Sequence, residues 1–253
     1  MIIINFNCDL HLGDNIMAVS ILDEITKVND IGFNLYNCNP KLLEFSQGCD
    51  RINFHTFEYF GSEKIYNTWC GNYNFNPWRT LKTRGYETTV LDYFKFLFYN
   101  IMKINIIFPF DDLFSSSLYA LTTLKKLKNI EEYDYLIINS DGLSGQCDNN
   151  LKDIFFEKYI NNLINKNYSV WCTKYIPNLH ENVKFANDLG LRDIGELSLK
   201  SKKIVGVATG PMVACYNDEN INKEIIAIAY HDIHPWKGNT CTYTLEEFIC
   251  LTE

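Results

Sequence analysis

Short apolar runs alternate along this chain with longer stretches whose apolar positions recur every three to four residues. Ile2–Asn7 is the first run, and the spacing of Ile16, Val19, Leu22 and Ile25 predicts a helix over Asn15–Val28. Phe33–Tyr36 reads as a second strand, Pro40–Phe45 as a short helix and Ile52–Phe57 as a third strand. Phe60–Tyr86 is rich in Asn, Gly, Tyr and Trp and shows little periodicity, so it reads as a long connection of the kind that often carries function. Thr89–Met102 is aromatic and helical in spacing, and Ile104–Phe108 is expected as a strand. The alternation is cleaner beyond Asn129–Tyr133, where a domain boundary is placed. Tyr135–Asn139, Ser169–Thr173, Ile204–Ala208 and Ile225–Ala229 read as strands, with helices expected over Leu151–Ile164 and Glu181–Leu189. Strands separated by helices of this length imply βαβ units, hence an α/β chain with two parallel sheets over residues 1–130 and 131–253. Ligands of paired parallel sheets bind in a cleft outside the carboxyl ends of the strands.

Composition narrows the function. A chain of 253 residues that is 47% hydrophobic can bury a sizeable core. Its net charge of −8 argues against nucleic-acid binding, which needs a basic face. No apolar run approaches the ~20 residues of a transmembrane segment. The start Met1–Phe6 lacks the charged opening of a signal peptide and reads as a first strand. Nine cysteines are scattered without a Cys-x-x-Cys pair, as expected for reduced thiols of a cytoplasmic protein and not for a zinc site.

Two stretches carry candidate chemistry. In Ile204–Cys215 a β-branched run ends at Thr209-Gly210-Pro211, and Met212–Cys215 opens a buried helix. Gly210 permits a tight turn and Pro211 suits the first helical position, where its missing N–H costs nothing. A strand, a tight turn and a helix start present free N–H groups to an anion, although any α/β protein contains such turns. In the second stretch, His11-Leu12-Gly13-Asp14-Asn15 follows the first strand. Asp14 there is either a helix N-cap or an ionised carboxylate able to take a proton from a hydroxyl.

Taken together, HLGDN and VATGPM resemble the heptosyltransferase-like glycosyltransferases, glycosyltransferase family 9, whose GT-B fold has two Rossmann-like domains facing a central cleft. Tyr135–Ser140, Val170–Thr173, His180-Glu181 and Leu189–Asp193 fall in the family's order, and the match spans about residues 133–217 and 2–25. The resemblance implies a transferase that moves a sugar from a nucleotide-diphosphate donor to an acceptor hydroxyl, inverting and independent of metal or other cofactor. The acceptor would be a glycan, a lipid-linked sugar or a protein, bound by the N-terminal domain, with the donor held by the C-terminal one. Asp14 would be the general base. Thr209, Gly210, Pro211 and Met212 would hold the diphosphate, Glu181 would lie at the nucleotide ribose, and Gly13 and Ser140 complete the donor set.

The chain also departs from the family pattern. The Asp before Thr-Gly is Ala208, and the His three positions after Gly is Val213, which leaves open a catalytically silent nucleotide-sugar or glycan binder. The family's donor-binding lysine has no clear counterpart, Lys152 being one candidate. His231 and His234 form a His-x-x-His pair without acidic partners and read as a loop lining the cleft. Lys125, Lys126 and Lys128 read as a solvated helix face. No Asp-x-Asp occurs, and no Gly-x-Gly-x-x-Gly follows a strand, which removes a Rossmann oxidoreductase.

Overall fold

The computed structural model of the chain describes residues 1–8, 12–46, 48–69, 73, 75, 86–109, 130–141, 148–216, 218–229 and 240–252. It divides into two compact units, Met1–Leu121 and Thr122–Glu253. The boundary between them falls among residues 110–129, outside the described residues, as do Lys125, Lys126, Lys128, His11, His231 and His234.

The first unit holds β1 (Ile2–Asn7), α1 (Leu12–Val28), β2 (Ile31–Tyr36), a 3₁₀ segment (Pro40–Ser46), β3 (Ile52–Phe54), β4 (Ile65–Asn67) and α2 (Tyr86–Phe96), which continues as a π-helix over Leu97–Met102. Its four strands are parallel in the order β3-β2-β1-β4. One sheet face is aromatic: Phe6 and Phe33 meet Phe98 with ring centroids 6.5 and 6.2 Å away, and Phe6 meets Phe94 at 5.9 Å. The other face is a row of amides. Asn53 donates to Asn34 at 2.9 Å, Asn34 to Asn5 at 3.0 Å, and Asn5 to the Glu63 carboxylate at 2.8 Å. The β3-to-β4 connection crosses this face as a loop, so polar strand residues meet polar partners there instead of a helix.

The second unit holds β5 (Tyr133–Ile138), α3 (Asn149–Asn165), β6 (Val170–Cys172), β7 (Lys184–Phe185), α4 (Leu191–Ser198), β8 (Ser201–Val207), α5 (Gly210–Cys215), β9 (Glu224–Ile228), β10 (Thr240–Tyr243) and α6 (Leu245–Thr252). All six strands are parallel, in the order β10-β9-β8-β5-β6-β7. In chain order this is the doubly wound 3-2-1-4-5-6 arrangement, and its strand order reverses between β5 and β8. Phe156 and Ile160 of α3 and Phe248 of α6 share a core with Ile137, Val205, Val207 and Ile228. Gly206 lets these two central strands approach closely, since a Cβ there would fall 2.2 Å from the Ile138 carbonyl oxygen.

Two expected elements are replaced. Glu181–Leu189 is not a helix. Its middle adds β7 to the sheet edge, where Lys184 and Phe185 pair with Trp171 and Cys172, and Ala186 N–H donates to the Cys172 carbonyl at 2.7 Å. Sheet pairing outweighs a weak local helix preference. Ile104–Phe108 is not a strand. Lys103 ends the π-helix with φ 60°, and the Asn29 side chain then pairs with both the N–H and the carbonyl of Ile107, as a neighbouring strand would.

Candidate functional site

The chemistry-bearing residues of the second unit collect where its strand order reverses. β5 runs into Asn139-Ser140-Asp141, and β8 runs into Ala208-Thr209-Gly210. Ile138 pairs with Gly206, so Ser140 and Thr209 stand on adjacent strands at the same edge of the sheet. The crevice outside the carboxyl ends at such a point is where open α/β sheets hold ligands.

The turn after β8 is tightly fixed. Ala208 N–H donates to the Ile228 carbonyl at 2.9 Å, and Thr209 N–H to the Val207 carbonyl at 2.8 Å. Thr209 is the extended N-cap of α5 (φ −121°, ψ 176°), and its hydroxyl donates back to the Val207 carbonyl at 3.3 Å instead of capping the helix. Pro211 occupies the first turn, and Met212 is fully buried. The early N–H groups of the helix have no partner within it and aim outward. Val213, at the family's histidine position, is only 7% exposed and belongs to the core, so it offers no polar contact there.

Beside Ser140 lies a network that the sequence reading did not assemble. Lys152, on the first turn of α3, is 0% exposed, and its Nζ donates to the Asn139 carbonyl at 3.0 Å and to Asp141 at 2.6 Å. Asp153 lies 3.3 Å from the same ammonium. Lys174, two residues past the end of β6, bridges the two carboxylates at 2.9 and 3.0 Å. The two ammonium groups, Lys152 first, hold the Asp141 carboxyl below its ordinary range. The Asn139 amide donates to the Lys174 carbonyl and accepts from its N–H, while Thr173 meets Ser140 Oγ at 3.0 Å. These residues come from α3 and from the segments just past β5 and β6, and the hydrogen bonds between those segments join residues 11 to 35 apart in sequence. One trace was readable: Lys152 shares the buried stripe of α3 with Phe156, Ile160 and Leu163.

Glu181 is exposed in the turn before β7, an edge strand three positions from β8, or about 14 Å at ordinary strand spacing. It is not brought beside Thr209.

In the first unit, the equivalent reversal lies between β1 and β4. Gly13 and Asp14 sit in the first turn of α1, directly after the carboxyl end of β1. Because the helix begins at Leu12, Asp14 is its third residue and not its cap, and it is 7% exposed. At the same edge Thr68 Oγ1 meets Asn15 Oδ1 at 2.7 Å, and Tyr93 donates to the Asn67 carbonyl at 2.6 Å. Cys8 Sγ lies 3.6 Å from Cys38 Sγ, and that contact together with burial pushes the Cys8 thiol far up. Burial raises Cys215 to about 12, so neither is a thiolate nucleophile. Among the described residues no group of three or more His, Cys, Asp or Glu side chains is placed to hold a metal, and no helix is long and apolar enough to cross a membrane.

No protein-family model matches the sequence, and no curated protein matches it. Solved structures do match the fold. The chain is similar to the E. coli heptosyltransferase WaaC with ADP-2-deoxy-2-fluoro heptose, with a TM-score of 0.58 and 9% identity over 96% of this chain and 93% of that one. It is similar to the family 9 glycosyl transferase of Veillonella parvula DSM 2008 at a TM-score of 0.55 and 9% identity, over 98% and 87% of the two chains. It is also similar to TibC, the iron-containing dodecameric glycosyltransferase of enterotoxigenic E. coli H10407, at 0.58 and 12%, covering 95% of this chain and 61% of TibC. The fold of this chain is that of the heptosyltransferase-like glycosyltransferases.

Proposed function

We propose that this protein is a glycosyltransferase that moves a sugar from a nucleotide-diphosphate donor to an acceptor hydroxyl. The observation that carries the reading is the turn Thr209–Met212 at the strand-order reversal of a doubly wound sheet, in a fold shared with proteins solved with ADP and an ADP-heptose analogue. The donor diphosphate rests on the N–H groups of that turn, with the Thr209 and Ser140 hydroxyls beside it. By the family resemblance Glu181 takes the ribose, which is joined directly to the diphosphate, and Gly13 contributes to donor binding. Asp14 accepts the proton of the acceptor hydroxyl while its oxygen attacks the anomeric carbon. The bond from that carbon to the diphosphate breaks on the opposite face, the electron pair leaves with the nucleotide diphosphate, and configuration inverts. Backbone donors stabilise the developing charge on the leaving group without a metal ion.

Five buried and two exposed free cysteines among the described residues suit a reducing compartment, and we place the protein in the cytoplasm. Ala208 and the buried Val213 favour one other reading, a homologue that binds nucleotide sugar without reacting.

Turnover decides between the two. Titration with ADP, GDP, UDP and CMP sugars identifies the donor, and release of nucleotide with and without acceptors measures transfer and hydrolysis. Asp14→Asn should leave donor binding unchanged and lower turnover by roughly 10²–10⁴, the contribution of a positioned general base. Transfer by Asp14→Asn at the wild-type rate removes the base. Donor binding by wild type with no turnover on any acceptor establishes the silent binder.

A further inference from the structure

The carboxyl edge of the first sheet carries a group of rings that the transfer chemistry above does not use. Tyr36 closes β2, and His55 and Phe57 follow β3. Tyr36 and His55 are stacked, with centroids 4.6 Å apart and planes at 17°. Tyr59 lies 4.7 Å from Tyr36 on a tilted plane, and Phe57 sits 5.0 Å from His55 and 6.0 Å from Tyr36. Tyr36 pairs with Asn7, so the rings stand one strand from the end of β1, whose chain continues into α1 and Asp14.

The group is held in place by the backbone. Asn37 N–H donates to the Phe57 carbonyl and Cys38 N–H to the His55 carbonyl, both at 2.9 Å, while His55 N–H donates to Leu35 at 2.8 Å. The Tyr59 hydroxyl accepts from Glu63 N–H at 3.1 Å. Gly61 closes the loop around that ring, and a Cβ there would fall 2.2 Å from the Tyr59 hydroxyl oxygen. Yet the outer ring of the group is open, Phe57 being 57% exposed. A fixed aromatic group left facing solvent marks a binding surface, and its rigidity lowers the ordering cost of binding.

We infer that Tyr36, His55, Phe57 and Tyr59 form a stacking platform for the ring of a neutral saccharide, the acceptor of the transfer proposed above. This rests on that reading and narrows its acceptor class to a glycan. The C–H face of a pyranose is apolar and slightly positive, which suits the negative face of an aromatic ring. Its hydroxyls project sideways, where the His55 imidazole, itself within the ring group, offers hydrogen-bonding nitrogens. Charge selects neutrality. Arg51 and Lys64, the cations flanking this segment in the chain, are committed elsewhere: Arg51 donates to the Thr26 and Asn29 carbonyls at 3.1 Å, and Lys64 lies 4.9 Å over the Tyr66 ring. Glu58 and Glu63 make the segment itself negative, the Glu63 carboxylate accepting from Asn5 at 2.8 Å on the adjoining amide row, and this charge disfavours a phosphate or carboxylate.

The test is ligand-observed NMR on the full chain with neutral disaccharides ending in glucose, galactose or N-acetylglucosamine, sialylated and phosphorylated counterparts, and ADP, GDP and UDP. Neutral sugars should bind, with affinity falling about tenfold in Phe57→Ala and retained in Phe57→Trp, since stacking on an exposed ring is worth about that factor. Because Phe57 is exposed, neither change should alter the fold, and circular dichroism checks this. The platform is refuted if no neutral sugar binds, if Phe57→Ala binds it as wild type does, if only anionic sugars bind, or if Phe57→Ala loses affinity for a nucleotide instead. Phe57-dependent sugar binding by a protein that binds no nucleotide diphosphate upholds the platform and removes the transferase. Donor turnover without Phe57-dependent sugar binding does the reverse.

Discussion

Replacing Lys152 with methionine tests whether the charge network beside Ser140 is held together by its ammonium group or tolerated in spite of it. The change keeps the stem of a fully buried side chain and removes a charge that contacts the Asn139 carbonyl, Asp141 and Asp153 at 3.0, 2.6 and 3.3 Å. Breaking a buried ion pair generally costs about 3–5 kcal/mol, because the remaining charge is stranded. Here neither carboxylate is stranded. Asp141 and Asp153 are 46% and 39% exposed on their side chains, and Lys174 still bridges them. What is left without its donor is the buried Asn139 carbonyl, a loss of about 1–3 kcal/mol. The expected destabilisation is therefore about 2 kcal/mol, and Lys174→Met, at a half-exposed site, should cost under about 1 kcal/mol.

Amide hydrogen exchange over α3 reads this locally and is insensitive to whether the two units unfold together. A loss of 2 kcal/mol appears as a roughly 30-fold fall in α3 protection at neutral pH. The acid limb carries a sign. The Asp141 carboxyl is depressed in the fold, so its contribution is full above the unfolded value of 3.8 and is lost as pH falls through the folded one. The gap between wild type and Lys152→Met should therefore shrink below about pH 4, where the ammonium keeps its burial cost but loses the ionised form of Asp141. A neutral or stabilising Lys152→Met at pH 7, or a Lys174→Met variant that costs more, refutes the reasoning.

Other tests bear on the turn and on the central strands. Gly206→Ala should destabilise the second unit by about 1–3 kcal/mol, read as a lower urea midpoint at unchanged slope, because its Cβ meets the Ile138 backbone. Gly210→Val should weaken nucleotide-diphosphate binding in calorimetric titration while circular dichroism stays unchanged, and equal affinity moves the donor away from Thr209–Met212. Transfer should survive EDTA, since the sequence has no Asp-x-Asp and the proposed donor site offers backbone N–H groups to the leaving diphosphate. Loss on chelation with recovery on Mg²⁺ or Mn²⁺ would redirect attention to Asp232, His231 and His234.

The strands were legible wherever both faces of the sheet are buried, because runs such as Ile204–Val207 then carry no polar positions to confuse the period. Legibility failed where a side chain replaces backbone or where pairing is brief. β4 spans only Ile65–Asn67 inside a polar stretch, and Ile107 pairs with the Asn29 amide across 78 residues. Asn5, Asn34 and Asn53 interrupt three predicted strands with a residue disfavoured there, yet in register they form one row across the sheet. A single sequence contains no sign of that register. The turn at Thr209–Met212 was readable because its strand, glycine and proline are contiguous. The network of Asn139, Asp141, Lys152 and Lys174 was not, because three elements must fold before it exists.

The same distinction governs Asp14. From sequence it was either a helix cap or a base, and capping requires the position just before the helix. The helix starts at Leu12, so Asp14 lies within its first turn, where a carboxylate gains about 0.3–1 kcal/mol from the helix dipole, up to about 2 when partly buried. Burying an ionised group costs several kcal/mol before its contacts are counted. Asp14 is only 7% exposed, so the dipole alone does not offset its burial. Asparagine has nearly the same shape without the charge. If Asp14 serves stability, Asp14→Asn should lose it. If it serves proton transfer, the variant should be as stable as wild type or more so, and fail only in turnover. Measuring both quantities on one variant separates the roles, and a variant that loses stability while its surviving folded fraction turns over normally would end the case for a base.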